Sequence, residues 1–152
     1  MPGKIKVGDS VVVASLGELK VYEAKPRTLE AEAGLKEFEV KLDLVTAKDY
    51  IDAHKKLQDV VTDEAGRFKG GIAEEHNLEL EIKRRVIEDL AKDINAVAQD
   101  AKGRLFVSIP EPIEKEVEAL LEGTTKSKIK KLIKKDYIKT GKEELVDIFN
   151  EA

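Results

Sequence analysis

Hydrophobic and polar residues alternate most clearly over residues 35–44. The apolar members of this pattern are Phe38, Val40, Leu42 and Leu44. Such alternation predicts a strand with one buried face and one solvated face. Upstream, the apolar runs 11–14 and 19–22 flank Gly17, which predicts two antiparallel strands joined by a tight turn.

The longest amphipathic pattern covers residues 78–101, where apolar residues recur at intervals of three and four. They are Leu78, Ile82, Val86, Ile87, Leu90, Ile94, Val97 and Ala98. This spacing predicts a helix that packs one face against a sheet. A weaker pattern over residues 47–59 favours a helix no more strongly than an irregular segment.

The second half of the chain continues with a short apolar run at 105–109, which predicts a central strand buried on both faces. Pro112 marks the start of the next predicted helix, which Gly123 ends. A helix, a buried strand and another helix in succession favour parallel neighbouring strands. The final helix is predicted to begin at a capping box, Thr140-x-x-Glu143.

Residues 128–135 form the ambiguous segment of the chain. Ile129, Leu132 and Ile133 have helical spacing, whereas a strand would place a lysine on both of its faces. Periodicity alone therefore predicts a helix. Lysine is also common on exposed sheet edges, which keeps a short edge strand open.

These patterns together predict a single α/β domain over residues 1–152. We expect a mixed sheet of about five strands, largely antiparallel, with helices on both faces. The chain contains no cysteine, so disulfides and thiolate chemistry are excluded. It lacks an apolar run of roughly 20 residues and a signal-peptide core, so we expect a cytoplasmic protein without a membrane partner.

A glycine-rich segment precedes the long helix. Gly66, Gly70 and Gly71 surround Arg67 and Phe68, and glycine is costly to order. Residues 63–77 are therefore predicted to be the least ordered internal segment. They form either a functional loop or a plain surface connection.

Few residues offer catalytic or metal-binding chemistry. The two histidines lack metal-ligand spacing, so neither a metal nor a cofactor is predicted. One acid–base arrangement is available: Asp63 would orient His76, and Arg67 would hold an anion. This arrangement would suit a peptidyl-tRNA or phosphoester hydrolase.

Basic residues are concentrated between Lys126 and Lys142, where eight lysines accompany one acid, Asp136. The net charge of −4 argues against general nucleic-acid binding. The local cluster suits either a solvated face or contact with RNA phosphates. The predicted phosphate contacts are Arg67, Lys69, Lys128, Lys130, Lys131, Lys134 and Lys135.

The motif Asp63-x-x-Gly66-Arg67, followed by a helix led by Glu75-His76, resembles the bacterial host-attachment family. That family is similar to the central domain of archaeal and eukaryotic peptide-chain release factors. The resemblance extends to the strand ending at Pro110 and to Lys135-Asp136. It implies a release-factor-like α/β fold and a strand near residues 132–136, so we expect a helix that runs into a short edge strand.

Release factors place a Gly-Gly-Gln tip in the ribosome, whereas Gly70-Gly71 is followed here by Ile72. Isoleucine cannot hydrogen-bond through its side chain, so inherited hydrolysis is not expected. The resemblance instead implies a non-enzymatic host-attachment-family protein that acts through RNA or ribosomes. A hydrolase and a protein-interaction module remain the alternatives, and the oligomeric state is not predicted.

Overall fold

The computed structural model of the chain describes residues 3–50 and 72–152, with side chains from residue 79 onward in the second range. These residues form an α/β domain around a five-stranded sheet. Its strands are β1 (Ser10–Ala14), β2 (Glu18–Pro26), β3 (Val40–Asp49), β4 (Leu105–Ser108) and β5 (Ile129–Ile133).

The sheet has the order β3-β2-β1-β4-β5. The pairs β1–β2 and β2–β3 are antiparallel, and the pairs β1–β4 and β4–β5 are parallel. Gly17 lies in the turn between β1 and β2 with φ of 115°, a conformation that glycine adopts without a Cβ clash. The predicted hairpin and the predicted parallel central strand are both confirmed.

The described helices cover both faces of this sheet. They are α1 (Leu29–Glu32), α2 (Ile72–Asp100), α3 (Glu111–Ala119), α4 (Gly123–Lys128) and α5 (Lys142–Glu151). We call the two sides of the sheet the α2 face and the α5 face. The predicted fold class is confirmed by this arrangement.

The core on the α2 face is built from the stripe that the sequence predicted. Val86, Leu90 and Ile94 are buried there against strand residues such as Val12 and Val107. Ile82 is partly buried against the same cluster. The helix begins at Ile72, six residues before the predicted start at residue 78. Residues 72–77, which were expected to belong to the least ordered segment, are therefore helical, and residues 63–71 of that segment lie outside the described residues.

The core on the α5 face contains the largest buried aromatic pair. The rings of Phe106 and Phe149 meet edge to face with centroids 5.9 Å apart. Leu145 and Ile138 join the same cluster. Leu145 and Phe149 therefore anchor the last helix to β4, since Phe106 belongs to that strand.

Residues 129–133 are a strand, not the helix that periodicity favours, because Ile129 and Leu132 pack on one core and Ile133 on the other. The expected helix that runs into a short edge strand is confirmed, since α4 ends at Lys128 and β5 follows it directly at the edge of the sheet. The predicted start of the last helix is wrong. The final helix has Gly141 as its N-cap and no side-chain cap, so the capping box does not form. Thr140 instead donates its backbone N–H to the Tyr137 carbonyl at 2.9 Å, within the turn that precedes the helix.

The third strand has the predicted length of ten residues but lies five residues further along the chain, from Val40 to Asp49. It includes residues 47–49, where the weak helical pattern begins, so the start of that predicted helix is wrong. The rest of that pattern, from residue 51, lies outside the described residues.

Candidate nucleic-acid interface

The lysine-rich segment from residue 126 to residue 142 lies along one edge of the sheet. It includes the end of α4, all of β5 and the stretch that leads into α5. The exposed lysines in it are Lys126, Lys130, Lys134, Lys135, Lys139 and Lys142. Its one acid, Asp136, accepts a hydrogen bond from the Ile138 N–H at 3.0 Å, so that carboxylate is already engaged in a local turn.

Two of the predicted phosphate contacts are used inside the domain. Lys128 donates to the carbonyls of Ala98 and Ala101 at the C-terminal end of α2. Lys131 donates to the Phe149 carbonyl at 2.6 Å, near the end of α5. Ammonium groups stabilise the unpaired carbonyls and the negative pole at a helix end. These two lysines therefore have a structural role in the domain.

The environment of Lys131 also lowers its pKa. Burial is the main cause, and the neighbouring charges of Lys130 and Arg104 act in the same direction. A partly buried ammonium that already has an acceptor is poorly placed to neutralise a phosphate. The basic character of this edge depends on its other lysines.

Lys134 faces an acidic side chain. Its Nζ lies 3.8 Å from Oε2 of Glu114, a carboxyl group that is 3 % exposed. A hydrogen bond with Glu118 raises the pKa of Glu114, and burial raises it further. The Lys134 side chain is 55 % exposed, so its ammonium also reaches solvent.

Lys130 and Lys135 are the predicted contacts with the greatest freedom. Both are exposed, and neither forms an ion pair within residues 3–50 and 72–152. Lys126, Lys139 and Lys142 are exposed as well, although they are not among the predicted phosphate contacts. The sequence indicates these three lysines only through the overall density of the segment, which has eight lysines in seventeen residues.

The other predicted site residues cannot be placed beside this edge. Asp63, Arg67 and Lys69 lie outside the described residues. His76 belongs to α2, but its side chain is also outside what the structure describes. The acid–base arrangement of Asp63, Arg67 and His76 therefore stays a prediction.

The sequence of residues 10–148 matches a protein family described as "Protein required for attachment to host cells". The chain belongs to this family. The match begins at the first residue of β1 and ends within α5, so it includes the whole sheet and the lysine-rich segment. No curated protein matches the sequence.

This host-attachment-family domain also contains a cleft of about 570 Å³ between the sheet and the C-terminal half of α2. Its charged lining residues are Glu23, Lys25, Lys48, Asp93, Asp100 and Lys102. Three acids and three bases give the cleft no net preference for anions. It is therefore a weaker candidate for phosphate than the lysine-rich edge.

A polar cluster that the sequence did not indicate borders this cleft through Lys48 and Asp93, which line it. Tyr50 donates its hydroxyl hydrogen to Asp93, and Lys48 lies 3.1 Å from the same carboxylate. Burial is the main cause that raises the pKa of Tyr50, and the hydrogen bond to Asp93 adds to it. The three side chains are separated by up to 45 positions in sequence, so no local motif marks them.

The described part of the chain offers no metal centre, since no three potential ligands among His, Asp and Glu converge there. Among the same residues, no helix has the length and apolar character needed to cross a membrane.

Proposed function

We propose that this host-attachment-family protein binds RNA phosphates, on the ribosome, and does so without catalysing a reaction. The contact surface is the basic edge, defined as Lys126, Lys130, Lys135, Lys139 and Lys142. The observation that carries the proposal is the exposure of all five lysines on a segment whose one acid is engaged in a turn.

Phosphate binding by lysine depends on local charge and on the release of counterions from the nucleic acid. The net charge of −4 disfavours nucleic-acid binding over most of the surface. RNA would therefore be held at the basic edge in one orientation, with an affinity that falls steeply as salt rises.

The chemistry of the edge also limits what it recognises. Tyr137 is the only aromatic residue in the segment, and it is partly buried against the core on the α5 face. Base stacking on aromatic side chains supplies much of the affinity for single strands. The proposed contact is therefore with folded RNA backbone and carries little sequence preference.

The family description names attachment to host cells. Under this proposal the contribution to attachment is indirect, through RNA or ribosomes that serve the synthesis of other proteins. We accordingly propose a cytoplasmic location.

Sedimentation with purified ribosomes over a range from about 50 to about 300 mM salt tests the proposal. The double variant Lys130→Glu/Lys135→Glu reverses two charges that have no ion-pair partner within the described residues. Lys41→Glu/Lys92→Glu is the matched control, because both lysines are exposed and lie on β3 and α2. The two variants have the same net charge.

We expect the wild-type chain and the control to sediment with ribosomes at low salt and to be released as salt rises. The Lys130→Glu/Lys135→Glu variant should remain in the supernatant at the same low salt. Equal loss in both variants would assign the effect to net charge and would contradict a defined edge. Absence of the wild-type chain from the ribosomal fraction at low salt would refute RNA binding.

A further inference from the structure

The outer edge of β3 is a second interaction surface, separate from the basic edge. β3 lies at the end of the sheet order and, within the described residues, pairs only with β2. It has ten residues, twice the length of β5 at the opposite edge. Leu44 is 47 % exposed and Val45 is 60 % exposed near its centre. A long edge with exposed apolar residues is a template for pairing with another chain.

A β-bulge at Val45 sets which face each β3 side chain occupies. Leu44 pairs with Tyr22 and Thr46 pairs with Val21, so Val45 is the extra residue. Before the bulge, even-numbered residues such as Leu42 lie on the α5 face. After it, Thr46 and Lys48 lie on the α2 face, because their partners Val21 and Leu19 belong to that core. The bulge therefore shifts the alternation by one residue.

The same bulge sets which backbone groups point away from the sheet. Arg27 donates to the Glu39 carbonyl and Tyr50 donates to the Gly17 carbonyl, so residues 39 and 50 both face β2. Since inward and outward groups alternate along a strand, the outward-facing groups belong to Val40, Leu42, Leu44, Ala47 and Asp49. Those of Val40, Leu42, Leu44 and Ala47 form the edge that an incoming strand would meet.

We propose that a second copy of this chain pairs antiparallel along β3 to give a continuous ten-stranded sheet. In the proposed register, Leu44 lies opposite Ala47 of the second copy, and Asp43 lies opposite Lys48 of the second copy. A two-fold axis between Val45 and Thr46 repeats each contact, as an isologous interface requires.

Backbone and side-chain constraints select this register. A two-fold axis perpendicular to the sheet keeps each face continuous, so paired residues must share a face and a backbone direction. Among axes that pair the whole ten-residue strand, only those next to the bulge satisfy both conditions, either between residues 44 and 45 or between residues 45 and 46. The first places Lys41 opposite Lys48, and like charges directly opposite are destabilising. The second places Asp43 opposite Lys48.

Charge complementarity favours a second copy as the occupant. Asp43 is exposed and forms no ion pair within the described residues, and Lys48 is 48 % exposed beside Asp93. One copy supplies the acid and the other supplies the base, twice in each dimer. β5 does not offer the same contact, because it has only five residues and its exposed Lys130 disfavours pairing with another strand.

Engineered cysteines test the register directly, since the natural chain has no cysteine. The experiment mixes an Asp43→Cys variant with a Lys48→Cys variant under mild oxidation. In the proposed dimer their Cα atoms form a non-hydrogen-bonded pair about 4.5 Å apart, which a disulfide can span. Two copies of Asp43→Cys place their cysteines about 16 Å apart and should not cross-link.

We expect a covalent dimer in the mixture and none in either variant alone. A mixture of Lys41→Cys with Lys48→Cys is the matched control for the other register and should stay uncross-linked. Cross-linking in that control, with none between positions 43 and 48, would overturn the proposal.

Two further variants separate dimerisation from folding. Ala47→Pro removes an N–H that points away from β2, a position where an edge strand tolerates proline. Asp43→Lys places like charges opposite each other and should raise the dimer dissociation constant by about tenfold. Both should retain the wild-type circular dichroism spectrum.

Sedimentation velocity from micromolar to millimolar protein gives the readout. The wild-type chain should dimerise with rising concentration, and Ala47→Pro should remain monomeric. A wild-type chain that is monomeric at every concentration would overturn the proposal. That result would hold even if the edge of β3 binds an extended segment of a different protein, because the proposed partner is a second copy of this chain. Ribosome sedimentation does not depend on this edge, so the two proposals fail independently.

Discussion

The carboxylate of Asp9 and the guanidinium of Arg104 form a buried ion pair, with Oδ2 and Nη2 2.8 Å apart. Asp9 is fully buried, and its Oδ1 also accepts the Arg104 backbone N–H at 3.0 Å. Arg104 donates in addition to the Lys4 carbonyl at 2.7 Å. The pair therefore joins the N-terminal segment to the residue before β4.

Replacement of Asp9 by alanine should strongly destabilise the domain. It would leave the guanidinium without its carboxylate partner, and two backbone N–H groups, of Lys6 and Arg104, would lose their acceptor. We expect the free energy of unfolding to fall by about 3 kcal/mol in urea titration. Glu37→Ala, at an exposed position outside the sheet, should change it by less than about 0.5 kcal/mol. Equal effects of the two variants would contradict the structural role of the pair.

Gly103 should tolerate no side chain, because it packs closely against the same N-terminal segment. A Cβ at this position would lie 2.6 Å from the Gly8 carbonyl oxygen and 2.8 Å from Oδ1 of Asp9. Since the first of these atoms is backbone, relief requires movement of the chain. We expect Gly103→Ala to lower the free energy of unfolding by about 2 kcal/mol.

The matched control is Gly123→Ala at the first residue of α4, where nothing lies within 4 Å of the added Cβ. Alanine there restricts the unfolded chain and should be neutral or stabilising by up to about 1 kcal/mol. Thermal unfolding of both variants would distinguish the two sites. A neutral Gly103→Ala would contradict the close approach at Gly8.

Asn95 should be the most important exposed-face residue of α2. Its Oδ1 accepts hydrogen bonds from the Glu122 N–H at 2.9 Å and the Thr125 hydroxyl at 2.7 Å. Its Nδ2 donates to the Leu120 carbonyl at 3.2 Å. Asn95→Ala should therefore cost about 2 kcal/mol of unfolding free energy, because the Thr125 hydroxyl is buried and would lose its partner.

Gln99→Ala, on the same helix and exposed, provides the comparison for helix propensity and should be close to neutral. Hydrogen exchange would locate the effect. Faster exchange should appear at the start of α4 in Asn95→Ala. Unchanged exchange there would show that the three hydrogen bonds do not hold the α3–α4 turn.

The fold was predictable wherever burial follows a regular period. The stripe of α2 repeats over many turns, and its core members Leu90 and Ile94 are fully buried. The strand β5 was harder to predict, because five residues are too few to show a period. In addition, Ile129 and Ile133 pack against the cores on opposite faces of the sheet. No residue type marks the bulge at Val45. The change in which β3 side chains face each side of the sheet after that residue could therefore not be predicted from the sequence.

The candidate site was predictable only as a concentration of charge. The sequence shows that lysines cluster, but not which ammonium groups are already bound. Lys128 reaches a carbonyl 30 positions away and Lys131 one 18 positions away, so their partners depend on the tertiary structure. Glu114 was missed because a carboxyl group within an apolar helix stripe gives no signal of its neighbours in space.

Glu114 leads to a prediction about pH. A hydrogen bond with Glu118 and burial raise its pKa above the ordinary glutamate value. A raised pKa in the folded state means that stability from this group is fully present below the unfolded pKa and is lost as pH rises through the folded pKa. Stability should therefore decline as pH rises above the ordinary range for glutamate.

Glu114→Gln keeps a neutral group able to hydrogen-bond at all pH values, so this part of the pH dependence should disappear. The variant should equal the wild type in acid and exceed its stability at neutral pH, as urea titrations at several pH values would show. Glu116→Gln, exposed on the same helix, should retain the wild-type pH dependence. If Glu114→Gln instead destabilised the domain at neutral pH, the charged form would be the stabilising one, held by Lys134 at 3.8 Å.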